Sequence, residues 1–107
     1  MRRVNEALRE VIASAIAGDL EDPRIGFVTV TSVETSPDLR HARVFVTVLG
    51  SEAERESTLS ALASSHGVLQ GAIAREMRLK RTPTLTFSYD DTPERGERIS
   101  RLLEEEE

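Results

Sequence analysis

Apolar residues near the start of the chain recur at the three- and four-residue spacing of an amphipathic helix. The pattern predicts a helix over residues 1–18, and Gly18 suits its C-terminal end. One face of that helix would be apolar and would pack against the rest of the protein. This face consists of Val4, Leu8, Val11, Ile12, Ala15 and Ile16.

Alternating polar and apolar residues then predict three β-strands. Residues 27–34 and 43–49 are rich in β-branched side chains, and the short turn between them makes the pair antiparallel. Residues 84–89 alternate again, with Leu85, Phe87 and Tyr89 expected to point inward. Alternation places Val28 and Val30 on one face of the first strand, and Val44, Val46 and Val48 on one face of its partner.

Residues 59–81 predict two helices joined at a weak point. That point is residues 64–67, Ser-Ser-His-Gly, where serines compete for backbone hydrogen bonds and glycine eases non-helical dihedrals. We therefore expect a kink there. We expect the second helix to continue to Arg81, because Pro83 restricts the residue before it. Its apolar stripe is Leu69, Ile73 and Met77.

Two polar signals mark further helix starts. Ser51 and Glu54 have the spacing of a capping box, and Thr92 precedes a proline. The predicted order is therefore helix, strand, strand, helix, helix, strand and a short C-terminal helix. This order predicts an α/β fold in which a three-stranded sheet carries its helices on one face, with the third strand either parallel or one strand removed. We expect residues 1–103 to form one domain and residues 104–107 to be an acidic, frayed tail.

Composition narrows the class of protein. The chain has 107 residues, enough for a single modest core, and it contains no cysteine for disulfides or a Cys-based zinc site. No apolar run approaches the roughly 20 residues of a membrane span. Glu6 and Glu10 interrupt the basic N-terminus, so we expect no signal peptide. We expect a soluble intracellular protein.

The net charge of -5 would at first argue against a nucleic-acid partner. Four of the 19 acidic residues lie in the terminal run, and without them 14 basic residues face 15 acidic ones. Local clusters then matter more than the total. The densest basic cluster follows the kink, and Glu76 is the single acidic residue among its members. The alternative interpretation is that these side chains form a solvated helix face. Its members are Arg75, Arg78, Lys80 and Arg81.

The sequence contains few residues in arrangements that could support catalysis. His41 and His66 are the only histidines and lie far apart in sequence, and an isolated histidine is more often a surface or helix-end residue. Asp90 and Asp91 are adjacent, so they diverge rather than converge on one substrate atom. The chain has no phosphate-binding glycine loop, zinc-ligand spacing or nucleophile elbow. We expect no catalysis, no cofactor, no metal and no small-molecule substrate.

The chain resembles the ribosome-binding factor A family over nearly its whole length. Each matching fragment is short, and their order and spacing together make the resemblance specific. The fragments are Arg3-Val4, Asp22-Pro23-Arg24 with Gly26, residues 28–31, 36–39 and 42–46 with Leu49, Gly67, residues 77–80 and 83–87, Tyr89-Asp90, and Arg98-Ile99 with Leu102-Leu103.

The resemblance implies a KH-like fold of the type II order, α-β-β-α-α-β. It also implies a bacterial cytoplasmic assembly factor that binds the immature 30S small ribosomal subunit and its 16S rRNA. The family helps to mature the 5′ end of that RNA and has no catalytic role. We expect the protein to act as a monomer and to have no membrane partner.

The resemblance also assigns a role to the kink. Typical KH domains clamp the nucleic-acid backbone with a GxxG loop, which this family replaces by an Ala-x-Gly break. Here the break would be Ser65, His66 and Gly67, so a serine stands where alanine is usual. The chain starts close to its first helix and lacks the long basic extensions of many relatives, so we expect weaker RNA affinity than theirs.

Two functional hypotheses follow. In the first, a surface of basic side chains binds the RNA backbone and reads shape rather than base sequence, since aromatic residues for stacking are few. In the second, the same fold is a protein-interaction domain that does not bind RNA directly. The predicted RNA-binding residues are Arg75, Arg78, Lys80 and Arg81, helped by Arg43, Arg2, Arg3 and Arg24.

Overall fold

A computed structural model of the chain describes residues 2–92. The order of helices and strands is the predicted one, and the predicted C-terminal helix and acidic tail lie outside the described residues. No helix within residues 2–92 is long and apolar enough to cross a membrane. The elements are α1 (Arg2–Gly18), β1 (Val28–Thr35), β2 (His41–Val48), α2 (Glu52–Ser64), α3 (His66–Glu76) and β3 (Thr84–Tyr89).

The three strands form one sheet in the order β1-β2-β3. β1 and β2 are antiparallel, as the short turn between them predicts, and β2 and β3 are parallel. The connection through α2 and α3 therefore brings β3 directly beside β2, without skipping a strand. This settles the choice that the sequence left open, and it leaves β1 and β3 as the two edges.

A β-bulge interrupts the alternation of side chains in β1. Val30 pairs with Val46, but the next pair along the ladder is Ser32 with Phe45, so Thr31 is an extra residue. The bulge changes the spacing of inward side chains, and Val30 and Val33 are both buried. The Thr31 hydroxyl lies 2.7 Å from an Asp90 carboxylate oxygen, to which it donates. The predicted placement of Val28 and Val30 on one face is confirmed, because Val30 is buried and Val28 packs against the core.

The helices cover one face of the sheet, where they enclose a single core. α1 contributes Leu8 and Ile12, both fully buried, and the kinked pair contributes Leu62 and Leu69. The opposite face carries mostly polar side chains, exposed or half-buried, together with the half-buried Phe45. This two-layer arrangement confirms the predicted architecture. The strand residues in the core are Val30, Val33, Ala42, Val44, Val46, Val48 and Leu85.

The predicted end of the second helix was wrong. α3 ends at Glu76, and Met77 already has extended dihedrals, φ -126° and ψ 145°. From Met77 onward half-buried and exposed residues alternate, because Met77 and Leu79 pack against the core while Arg78 and Lys80 are exposed. An extended segment achieves this alternation and a helix does not. Arg78, Lys80 and Arg81 therefore lie in a loop, residues 77–83, rather than on a helix.

Candidate nucleic-acid interface

The predicted kink is present, and a single residue forms it. Ser65 separates α2 from α3 with φ -92° and ψ 11°. Its hydroxyl donates back to the Ala61 carbonyl oxygen at 2.9 Å, so it makes no side-chain cap for α3. Serine is thus accommodated at this position by a bond to its own preceding turn. Gly67 lies in the first turn of α3 without a positive φ, and a Cβ there would have nothing within 4 Å.

His66 and Gln70, four residues apart on α3, cover the outer edge of β3. The Leu85 backbone N–H donates to His66 Nε2 at 3.1 Å, and Gln70 Nε2 donates to the Pro83 carbonyl oxygen at 2.9 Å. The backbone N–H of the neighbouring Thr84 points toward β2. The N–H of Leu85 therefore points away from β2, toward the outer edge of the sheet. The sequence placed His66 correctly at a helix end, but its bond to the sheet was not predicted.

Three contacts bring distant segments to one end of the sheet. A hydrogen bond of 2.7 Å between the Thr35 hydroxyl and Asn5 places the start of α1 beside the end of β1. The Thr84 N–H donates to the Arg40 carbonyl oxygen at 2.8 Å, so loop 77–83 finishes beside the start of β2. The bond from Leu85 places the kink there too. We call this region the kink end of the sheet.

Basic side chains are carried by α1, β2 and loop 77–83, the elements that reach the kink end. Two stand on the first turn of α1, one on β2, and three in loop 77–83, and all are exposed. Within residues 2–92 the structure records no ion pair for any of them. Glu34 is the register partner of Arg43 across the strands, yet the two make no salt bridge. The six residues of this cluster are Arg2, Arg3, Arg43, Arg78, Lys80 and Arg81.

Other carboxylates near the kink end are occupied by their own partners. Asp38 accepts from the Ser36 hydroxyl at 2.7 Å and from the Arg40 backbone N–H, and these bonds lower the pKa of its carboxyl. The hydrogen bond from Arg9 lowers the pKa of Glu6 in the same way. Both groups therefore stay charged near neutral pH, and each has its main partner within a few residues, although the charge of Arg2 also lowers the pKa of Glu6.

Two predicted residues lie apart from this cluster. Arg24 precedes β1 at the opposite end of the sheet, where its guanidinium bonds Asp22 at 2.7 Å and lowers the pKa of that carboxyl. Arg75, near the end of α3, forms an exposed ion pair of 3.4 Å with Asp19 beyond the end of α1. The structure thus brings together six of the eight predicted basic residues.

The charges on α1 oppose its own dipole. Arg2 and Arg3 occupy the first turn, which has no acidic residue, and Asp19 follows a last turn without a basic one. A cation at a helix N-terminus or an anion at its C-terminus is unfavourable by about 0.3–1 kcal/mol each. Helix stability therefore does not explain the positive charge at the kink end, and a bound anion would.

The arrangement has the features that bind a phosphate backbone. The positive ends of the α1 and α3 dipoles, unpaired guanidinium groups and an ammonium group all stand at one end of the molecule. Within residues 2–92, no group of three or more histidine, aspartate or glutamate side chains could hold a metal ion. The geometry is suited to binding an extended polyanion.

Comparison with known proteins agrees with this geometry. A family model described as Ribosome-binding factor A matches residues 1–103. The chain belongs to the ribosome-binding factor A family. It is 45% identical over 103 residues to Ribosome-binding factor A of Geobacter metallireducens, a match that covers 96% of this chain and 87% of the relative. That of Halorhodospira halophila is 47% identical over 105 residues, covering 97% and 83%.

Solved structures of the ribosome-binding factor A family share the fold. The crystal structure of ribosome-binding factor A from Thermus thermophilus superposes with a TM-score of 0.74 at 33% identity, covering 82% of this chain and 93% of that one. A homology model of the Thermus thermophilus protein, fitted into a cryo-EM map of its complex with 30S, gives a TM-score of 0.67 at 34% identity, covering 80% of this chain and 90% of that one. The KH-like fold implied by the sequence resemblance is confirmed.

Proposed function

We propose that this protein is a non-enzymatic assembly factor that binds the immature 30S subunit through 16S rRNA and assists maturation of the RNA's 5′ end. It would act in the bacterial cytoplasm as a monomer, with residues 1–103 as one domain. The relative from Thermus thermophilus is described in a complex with 30S, which supports the choice of partner. The 5′-end role rests on the family resemblance.

One observation carries the RNA-binding part of the proposal. Six basic side chains stand on α1, β2 and loop 77–83, the three segments that reach the kink end, and within residues 2–92 none of them forms an ion pair. An exposed cation kept unpaired at a helix N-terminus costs stability, so a binding role explains it better than folding does. Such a surface contacts phosphates and therefore reads backbone and shape rather than sequence.

The test is the salt dependence of binding to purified small subunits. Each phosphate contact contributes a slope of about 0.7–0.9 to the fall of log affinity with log salt. We expect Arg78→Gln with Arg81→Gln to lower affinity about tenfold and to flatten that slope by roughly 1.5 to 2. The measurement is fluorescence anisotropy of labelled protein at several salt concentrations.

A matched control removes the same charge elsewhere. Arg24→Gln with Arg75→Gln also deletes two exposed guanidinium groups, but both belong to ion pairs away from the kink end. We expect the control to change the slope by less than half as much. Equal losses from both variants would show a net-charge effect rather than a site. Salt-independent binding would instead favour the alternative, a protein-interaction domain that does not touch RNA.

The 5′-end role needs a separate experiment. In cells lacking the protein, primer extension across the 16S rRNA 5′ end should reveal unprocessed ends, which the wild-type chain removes and the Arg78/Arg81 variant does not. Purified protein incubated with precursor RNA alone should leave that RNA intact. Shortening of the RNA in that reaction would identify a nuclease and would contradict the non-enzymatic assignment.

A further inference from the structure

The outer edge of β1 is an open strand edge without the usual protection. β1 is the first strand of the sheet, so among residues 2–92 no other strand pairs with that side. Residues 25–33 contain neither charge nor proline. Edge strands normally carry such residues, because bare backbone groups invite another strand to pair. The bulge at Thr31 and the charged Glu34 come at and after the middle of β1, so its first three residues, Val28 to Val30, have neither protection.

The backbone groups of Val28 and Val30 face this open side. The Leu49 N–H donates to the Phe27 carbonyl oxygen at 3.1 Å, so these two form a hydrogen-bonded pair. In an antiparallel ladder bonded pairs alternate with non-bonded ones, which turns the N–H and C=O groups of Val28 and Val30 outward. They border a groove of about 600 Å³ between β1 and α1, whose α1 wall includes Ala13, Ile16 and Ala17.

Two large apolar side chains lie at the start of β1: Phe27 lines the groove, and Leu49 is its partner across the ladder. Phe27 is 79% exposed and Leu49 is 76% exposed, and the backbone bond between them sets them side by side. A lone exposed apolar residue needs no explanation, but an adjacent pair beside an open strand edge does. The shape of the site, backbone groups with neighbouring apolar side chains, fits an extended peptide that adds one strand to a sheet.

The surroundings of this edge are negative. Residues 19–27 and 49–58, which flank the start of β1 and the end of β2, carry six carboxylates against two arginines, and Arg75 of α3 pairs with Asp19, so an excess of three negative charges remains. We call this region the acidic end. A nucleic-acid backbone would be repelled there, and a second copy of the chain meeting the same edge would bring two acidic ends together. A positively charged peptide would be attracted.

We propose that the β1 edge at the acidic end binds an extended, lysine- or arginine-rich segment of a protein, which pairs with Val28 and Val30 and packs its apolar side chains against Phe27 and Leu49. This inference rests on the proposed function, in that the segment would belong to a protein component of the small subunit. RNA is then held at one end of the molecule and a basic protein at the other.

Two variants of opposite charge test the chemistry of the partner. Phe27→Lys with Leu49→Lys and Phe27→Glu with Leu49→Glu remove the same apolar contacts but change charge in opposite directions. Both positions are exposed, and thermal melting checks that each variant folds as the wild type does. For purified small subunits we expect the lysine variant to lose about tenfold more affinity than the glutamate variant.

Protein-free 16S rRNA supplies the second probe. Neither variant should weaken binding to it more than twofold, whereas the Arg78/Arg81 variant should weaken binding to both rRNA and subunits. The latter result tests the proposed function independently of the β1 edge. Sedimentation of the wild-type protein alone shows whether the edge pairs with a second copy.

The contrary outcomes are distinct. If the glutamate variant binds subunits more weakly than the lysine variant, the edge faces RNA. If both variants bind subunits as the wild type does, the edge is not a contact surface. If the wild-type protein is a dimer and either variant is a monomer, the occupant of the edge is a second copy of the chain. Each of these results overturns the assignment of a basic protein segment.

Discussion

The two ends of the sheet use charge in opposite ways. At the acidic end most charged groups serve local structure: Arg24 bonds Asp22, and Glu54 completes a capping box with Ser51 at the start of α2. At the kink end the six basic side chains have no such partners within residues 2–92, and those on α1 oppose the helix dipole. Unpaired charge placed against the local preference, rather than total charge, therefore distinguishes the proposed binding surface.

The conformation of glycine also differs between the two ends. Gly50, between β2 and α2, has φ +138°, a region that side chains rarely adopt. Gly67, at the kink, has ordinary dihedrals and open space around its Cβ position. The turn at the acidic end therefore requires glycine, whereas the fold at the kink end does not.

The largest effect is expected from Gly50→Ala. The new Cβ would sit 2.7 Å from a Glu54 carboxylate oxygen, and the backbone would be strained at its positive φ. Moving Glu54 aside would break the capping box, so we expect the free energy of unfolding to fall by about 2 kcal/mol. Urea unfolding followed by circular dichroism measures this. A loss below about 0.5 kcal/mol would show that the turn at the acidic end tolerates other residues.

We expect a smaller loss of stability when the hydrogen bond between the kink and the sheet is removed. His66→Ala removes the acceptor of the Leu85 N–H, and Leu85 is buried. An unsatisfied buried donor costs about 1–2 kcal/mol, so the free energy of unfolding should fall by that amount. His41→Ala, at an exposed position on β2, is the control and should change it by less than about 0.5 kcal/mol. Equal effects would mean that the bond from Leu85 does not anchor the kink.

Gly67→Ala should act in the opposite direction to Gly50→Ala. Alanine at a position with open space and no positive φ restricts the unfolded chain and favours helix. We expect the free energy of unfolding to rise by about 0.5–1 kcal/mol. The same urea titration measures it, with subunit binding measured in parallel. Reduced binding by this more stable variant would indicate that RNA approaches the kink backbone closely, and a loss of stability would contradict the ordinary dihedrals of Gly67.

The smallest effect concerns the dipole of α1. Arg3→Gln removes a cation from the positive end of the helix, which should raise the free energy of unfolding by about 0.3 kcal/mol. Affinity for small subunits should nevertheless fall severalfold. Arg9→Gln is the matched control, since Arg9 pairs with Glu6 and its loss should not stabilise the protein. If Arg3→Gln lowered stability, the unfavourable placement of charge on α1 would be refuted.

Local patterns in the sequence predicted much of the fold. The capping box of Ser51 and Glu54, the strand at residues 84–89 and the kink before His66 are all observed. Each depends on residues within a few positions of one another, so its signal is present in a short stretch of chain. The extended segment after Glu76 also has a local signal, the alternation of Met77 to Lys80, which the proline farther on obscured.

The candidate site was predicted only in part. Six of the eight basic residues lie at the kink end, but Arg24 and Arg75 do not, and both are engaged by carboxylates. Arg75 on α3 forms an ion pair with Asp19, which follows α1. The spacing of the two residues in the sequence does not indicate this pair. The open edge of β1 could not be predicted either, because an edge is defined by which strands pair.

The sequence by itself determined the order of the elements, the apolar faces of the helices and the kink, since periodicity and backbone preference act over a few residues. Only the tertiary structure decided the bulge at Thr31, the bond from Leu85 to His66 and the gathering of three basic segments at one end. These features join residues far apart in the chain, such as Thr31 with Asp90. Their energies depend on distances that exist only after the sheet has formed.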